Sequence, residues 1–206
     1  NSFIWNLLYY TSYQGTPSIT SATSISTPEI FFEKKYKFTS ESLERLNRIF
    51  ADPYDASPSL LSSQMLTVSE GVDVTYSNCI LTYVVPSNLN TSDASRYVVF
   101  LIQEQTVQNL LRAVLADYNG YIYLFDRQGE LITQAQGDNV PSSSASLLSL
   151  YREKSAEQKD AELSLSLEGV SYSAIRQEVG QLSFLLVIPT QQYLQPVIQR
   201  QNFLFS

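Results

Sequence analysis

The sequence predicts an α+β chain made of two successive modules, each an antiparallel sheet flanked by helices. Three observations carry that expectation. Strand-length apolar runs recur along the 206 residues, separated by Gly, Pro, Asn and Ser. Two of them form hairpins with similar turns, one containing Gln14-Gly15 and one containing Gln128-Gly129. Each hairpin is followed by a helical pattern and then by antiparallel strands, ending VVP at 84–86 in one half and VIP at 187–189 in the other.

Taken in order, residues 3–10, FIWNLLYY, read as a buried strand. TSYQGTP is a turn, and SITSATSIS is a second strand rich in β-branched residues. Thr27-Pro28-Glu29 has the pattern of a helix start: a capping hydroxyl, proline in the first turn, then an acid. A second start follows at Thr39-Ser40-Glu41. It places Leu43, Leu46, Ile49 and Phe50 on one face, and Pro53 ends it. Residues 52–69 are Pro- and Ser-rich and read as a long loop. VDVTY, NCILTYVVP and RYVVFLI read as three strands, the last two joined by a polar loop over 88–93.

EQTVQNLLRAVLADY, 104–118, sets Val107, Leu110, Leu111, Val114 and Leu115 on a helical stripe, with Asn119-Gly120 as its C-cap. GYIYLFDRQGELITQ then opens the second module, with Asp126 as a turn residue. SASLLSLYREKSAE reads as a helix. In AELSLSLEGV, Leu163, Leu165 and Leu167 point in, Ser164, Ser166 and Glu168 point out, and Glu168-Gly169 turns the chain. QLSFLLVIP is a buried strand, and TQQYLQPVIQRQ is a helix interrupted at Pro196. The domain expectation is therefore a first module over 1–104, a connecting helix over 105–117, a second module over 118–190 and a terminal helix over 191–206.

Composition removes several function classes. Hydrophobic residues make up 44% and charged residues 16%, which suits a packed core. The net charge is −7 and the 13 basic residues are scattered, so no basic stripe is available for nucleic acid. The chain has one cysteine, Cys79, and no histidine. An intrachain disulfide, a Cys/His zinc site and a His-based triad are excluded. No Gly-x-Ser-x-Gly, Ser-x-x-Lys or phosphate-binding glycine loop occurs, and Asp52 with Asp55 fits turn chemistry. A binding module is favoured over an enzyme, and no cofactor or metal is expected. No run of about 18 apolar residues is present. The apolar runs at both ends, FIWNLLYY and QNFLFS, lead to the expectation of a piece of a longer protein whose other parts hold the membrane segments.

Strand, strand, helix, then three strands is the order of a PAS-like sheet, and it occurs twice. FIWNLLYYTSYQGTPSITS, CILTYVVPSNLNTSDASRYVVFLIQEQTVQNLL, GYIYLFDRQGELITQ and SYSAIRQEVGQLSFLLVIPTQQYL together resemble the extracytoplasmic double-Cache sensor region of bacterial transmembrane receptors. The version in membrane-bound AraC-type transcription regulators and some histidine kinases is the most similar. The resemblance implies a sensor outside the cell, its first module distal and its second proximal to the membrane. It also implies an unknown small-molecule or peptide ligand, membrane attachment through flanking segments, and room for a homodimer. The family has a long helix before its first strand that this chain lacks. Some members bind amino acids through a Tyr, Arg, Trp, Tyr and Asp constellation. No Arg-x-Trp occurs here, so those roles are not transferred.

Pockets in such sheets lie between the concave face and its helices. The resemblance thus implies Tyr9, Ser21, Tyr36, Tyr83 and Arg96 in the distal module, and Tyr121, Tyr123, Tyr172 and Arg176 in the proximal one. The plain alternative has Tyr9 and Tyr83 in the core, with Arg96 and Arg176 facing solvent. At the level of function, the alternative is a protein-interaction or spacer domain at the cell surface with no small-molecule ligand.

Overall fold

The computed structural model describes residues 4–52, 58–67, 75–87, 90–91, 94–115, 118–157, 160 and 162–192. The chain divides into two compact units, Asn1–Val107 and Gln108–Ser206, and the division falls within the helix Glu104–Leu115.

Unit 1 is built on a six-stranded antiparallel sheet in the order β3-β2-β1-β6-β5-β4. Strand β1 (Ile4–Tyr13) continues past residue 10 because Thr11, Ser12 and Tyr13 pair with β2 (Thr16–Ser21). The expected turn shrinks to Gln14 and Gly15, with φ of 48° and 78°, the two-residue geometry whose twist suits a hairpin. The expected second strand is broken after Ser21, where the Ser21 N–H donates to the Ser24 carbonyl, and it resumes as β3 (Ile25–Ser26). The first expected helix is a wide π-type segment, Glu29–Lys35. It drives Phe31 and Phe32 fully into the core. Helix α1 (Ser40–Ala51) starts where expected, with the Thr39 hydroxyl accepting from the Ser42 N–H at 3.3 Å.

The Pro- and Ser-rich stretch differs from its expectation as a loop. Residues Ser59–Thr67 form strand β4, paired over its whole length with β5 (Thr75–Pro86). Ladder hydrogen bonds come from the backbone, so a partner strand overrides the weak strand propensity of serine. Thr75 and Tyr76 belong to this same β5, so VDVTY is no separate strand in its described part; its residues 72–74 lie outside the described residues. Strand β6 (Ala94–Gln103) completes the sheet between β1 and β5.

One face of this sheet carries Leu8, Tyr10, Ile19, Tyr97, Val99, Leu101 and Val84 against α1 and the π-type segment. Tyr10 stacks on Phe50 with centroids 3.9 Å apart, and both meet Tyr97. Such pairs contribute about 0.5–1.5 kcal/mol beyond area burial. A register shift between Ile4 and Asn6 leaves Trp5 as an extra residue in β1. Its ring meets the edge of Tyr36 at 5.2 Å, and the Asn6 amide donates to the Tyr36 hydroxyl.

Unit 2 repeats the plan. Its five strands run in the order β8-β7-β11-β10-β9, the same path as β2-β1-β6-β5-β4 in unit 1. They are β7 (Tyr121–Phe125), β8 (Leu131–Gln136), β9 (Glu162–Leu167), β10 (Val170–Val179) and β11 (Leu182–Pro189). Helix α3 (Ser144–Glu157) covers one face through Leu147 and Tyr151. All five residues of β7 are buried, the pattern of a strand covered on both faces. Helix α2 (Glu104–Leu115) buries Leu111 and Leu115, and its Gln108 donates to the Thr133 hydroxyl of β8. The expected five-residue stripe on α2 is divided: Leu110 and Val114 are exposed.

Asn119-Gly120 does not act as the expected C-cap, since Gly120 lacks a positive φ. Its glycine is required for closeness: an added Cβ would run into the Val187 carbonyl and the Ile188 side chain. Asp126 holds the β7–β8 turn as expected, accepting from the Glu130 N–H at 2.8 Å. The expected terminal helix lies outside the described residues from Tyr193 onward.

Candidate functional site

In unit 2 the register of the sheet sets its helix-facing side chains in rows. Ala174, Val187 and Tyr121 form one row, and Arg176, Leu185 and Tyr123 form the next. Tyr172 stands one step beyond Ala174 on β10. Three phenols from two strands thus reach the segment that begins α3. Tyr121 donates to the Ser142 carbonyl at 3.0 Å, Tyr123 to the Ser144 carbonyl at 2.9 Å, and Tyr172 to the Ser142 hydroxyl at 2.8 Å. The Ser144 hydroxyl donates onward to Gln134 at 2.6 Å. Burial removes water from these phenols and disfavours their anions. It pushes Tyr123 up to about 12 and raises Tyr121. All three phenols are thus engaged by the protein's own backbone and hydroxyls.

Arg176 shares that face but stands at its far end. Its Nε donates to the Ser183 hydroxyl at 2.8 Å and its Nη2 pairs with Glu178 at 3.2 Å. Both charged side chains of that pair are largely exposed, so the pair itself stabilises little.

The distal candidates do not converge. Tyr36 lies in the core among Phe31, Phe38 and Trp5. Ser21 spends its hydroxyl on the turn, bonded to Ser24. Tyr9, Tyr83 and Arg96 lie on the opposite face of the sheet: Tyr9 is opposite Val98, Tyr83 is opposite Phe100 and Arg96 is opposite Thr11, out of phase with the core residues Tyr10, Val84 and Tyr97. Alternation along a strand makes this a choice of one face or the other.

Two polar contacts not foreseen in the sequence involve the first residues of β6 in unit 1. The Asn90 Oδ1 accepts from the Arg96 N–H at 2.7 Å, and the buried Tyr97 phenol donates to the Asp52 carbonyl at 2.9 Å. The Asn90 Nδ2 is buried and has no hydrogen-bond partner among the described residues. A buried donor left unpaired costs about 1–3 kcal/mol.

An open groove of about 680 Å³ lies between the π-type segment and α1, lined by Glu33, Phe38, Leu43, Glu44, Asn47 and Arg48. Among the described residues no group of three metal-ligating side chains occurs, and no helix is long and apolar enough to cross a membrane.

No protein-family model and no curated protein matches the chain. Solved structures do. The ligand-binding domain of the Pseudomonas fluorescens chemoreceptor CtaA, in complex with L-serine, superposes with a TM-score of 0.50 at 12% identity, covering 89% of this chain and 73% of that one. The fold is that of Cache-like sensor domains. The sensory domain of the Campylobacter jejuni chemoreceptor Tlp3, with isoleucine bound, gives 0.43 at 12% identity, covering 90% and 67%. An extracellular ligand binding receptor from Desulfohalobium retbaense gives 0.44 at 11% identity, covering 91% of this chain and 31% of that chain. These two weaker superpositions add nothing to the fold argument, which rests on the first.

Proposed function

We propose that this chain is the extracytoplasmic signal-sensing part of a bacterial transmembrane receptor, with unit 1 distal and unit 2 proximal to the membrane. The observation that carries this reading is the repeated strand path, β2-β1-β6-β5-β4 and β8-β7-β11-β10-β9, in a chain with the Cache-like fold. A conformational change would pass along α2, which ends unit 1 and begins unit 2. The output is a cytoplasmic transcription regulator of the AraC type or a histidine kinase, as the sequence resemblance implies.

Of the two units, unit 1 is the one we assign to ligand binding. In unit 2 the three phenols facing α3 are already bonded to Ser142 and Ser144. In unit 1 the Asn90 Nδ2 is a buried donor without a partner among the described residues. The ligand is then a small molecule that offers an acceptor to Asn90. Thermal shift against amino acids, sugars and organic acids tests this, because a ligand of the folded state raises the melting temperature. The same engaged phenols support a second reading, a surface domain that senses a partner protein. Under it, no compound in such a library shifts melting.

A further inference from the structure

A strand at the edge of a sheet presents unpaired N–H and C=O groups, and proteins blunt such edges by brevity, charge, proline or bulges. Three of the four edges here are blunted. β3 has two residues. β8 meets β7 through a register shift at Leu124/Phe125 and lies between Glu130 and Asp138. β9 starts at Glu162, and its Ser164 carbonyl accepts from the Lys154 ammonium at 2.8 Å. β4 has neither brevity nor charge nor proline, and the register shift in its pairing with β5, at Met65/Leu66, places the extra residue on β5 and not on the edge strand. It is nine residues long, SLLSSQMLT, with no charge and no proline. It pairs with β5 on one side, and among the described residues no strand takes the other side.

The sequence of β4 is also symmetrical about Ser63 in the kind of residue it carries. Ser59 matches Thr67, Leu60 matches Leu66, Leu61 matches Met65 and Ser62 matches Gln64. Antiparallel pairing of two such strands about a two-fold axis at Ser63 sets each position opposite its like. Moving the axis to Ser62 sets Leu60 opposite Gln64 and Ser59 opposite Met65; moving it to Gln64 sets Ser62 opposite Leu66 and Leu61 opposite Thr67. Only the central register keeps apolar with apolar and polar with polar, which is how strands select a register.

We propose that β4 is a homodimerisation edge. Two copies of the chain pair β4 to β4, antiparallel about a two-fold axis at Ser63, and their six-stranded sheets become continuous. The contact is isologous, so it closes at two copies and does not propagate. It depends on no ligand.

The test is sedimentation velocity of the whole 206-residue chain over a wide concentration range. A concentration-dependent dimer is expected. In the proposed register residue 62 faces residue 64 of the other copy. Ser62→Lys with Gln64→Lys therefore sets like charges opposite one another twice, as does Ser62→Asp with Gln64→Asp. Each double variant alone is expected to be monomeric, and an equal mixture is expected to restore the dimer. A wild-type chain that stays monomeric at every concentration overturns the proposal, as do variants that dimerise as the wild type does. Should the charged variants lose their far-UV circular dichroism, cross-linking decides in a Cys79→Ser background. Ser63→Cys is expected to form an interchain disulfide on mild oxidation. Leu60→Cys is not, since the register holds the two copies of residue 60 about 20 Å apart. Equal cross-linking of both, or of neither, overturns the proposal.

Discussion

The phenol of Tyr172 on β10 donates to the hydroxyl of Ser142, 2.8 Å away, and both side chains are buried. The same serine receives the Tyr121 phenol on its carbonyl. Two strands that are not neighbours in the sheet are thus tied to one residue ahead of α3. Tyr172→Phe and Tyr121→Phe are each expected to destabilise unit 2 by about 1–2 kcal/mol, because each leaves a buried partner short of a bond. The double variant is expected to deviate from additivity by at least about 0.5 kcal/mol, since both bonds end on one residue. Urea unfolding followed by far-UV circular dichroism measures all three; strict additivity would show that Ser142 does not couple the strands.

Alkaline pH offers a second handle on the same network. Tyr123 is pushed up to about 12 by burial, whereas the unfolded phenol titrates near the ordinary value of 10.0. Between those two values the folded state holds a proton that the unfolded state has released. The stability contributed by the neutral phenol is therefore complete below about 10 and falls as pH rises toward 12, by about 1.4 kcal/mol per pH unit for one such group. Difference absorbance near the tyrosinate band is expected to show a late phenol that Tyr123→Phe removes. The same substitution is expected to flatten the alkaline loss of stability across that window.

Gly120 is a packing glycine. Gly120→Ala forces a methyl group into the Val187 carbonyl and the Ile188 side chain. The entry of β7 must then move away from β11, at a cost of about 1–3 kcal/mol or more. Gly15→Ala meets no neighbouring atom and is disfavoured only by its φ of 78°. Thermal melts of the two variants are expected to rank Gly120→Ala as the less stable.

Asn90→Asp separates a ligand contact from a structural one. The change keeps an oxygen to accept from the Arg96 N–H and removes the Nδ2 donor. Any compound that raises the melting temperature of the wild type is expected to lose that effect in Asn90→Asp, while the circular dichroism spectrum is unchanged. An undiminished shift would place the ligand elsewhere.

The repeat was legible because it is written in periodicity and turns. Tyr121, Tyr123 and Phe125 alternate with Ile122 and Leu124, and all five are buried, as a sheet covered on both faces requires. The turns at Gln14-Gly15 and Glu168-Gly169 fell at glycines with positive φ. Strand β4 was hidden because its partner, not its own serines, makes it a strand. Which face of β1 and β6 meets the core was also illegible: Tyr9 and Tyr10 are chemically alike, and tertiary pairing alone sends Tyr10 inward. The anchor Ser142 resembled loop filler, and Ser144 resembled an ordinary first residue of a helix. The only available signal was a cluster of hydroxyls ahead of a helix in a module with three strand tyrosines.

The extra residue in β1 has an optical consequence. Trp5 is the chain's one tryptophan, and it lies edge-on to Tyr36 within unit 1. Indole emission from the intact protein therefore reports on the first half of the molecule and is blind to the second. With circular dichroism recorded on the same sample, a single unlabelled preparation resolves whether the two halves melt together or one after the other.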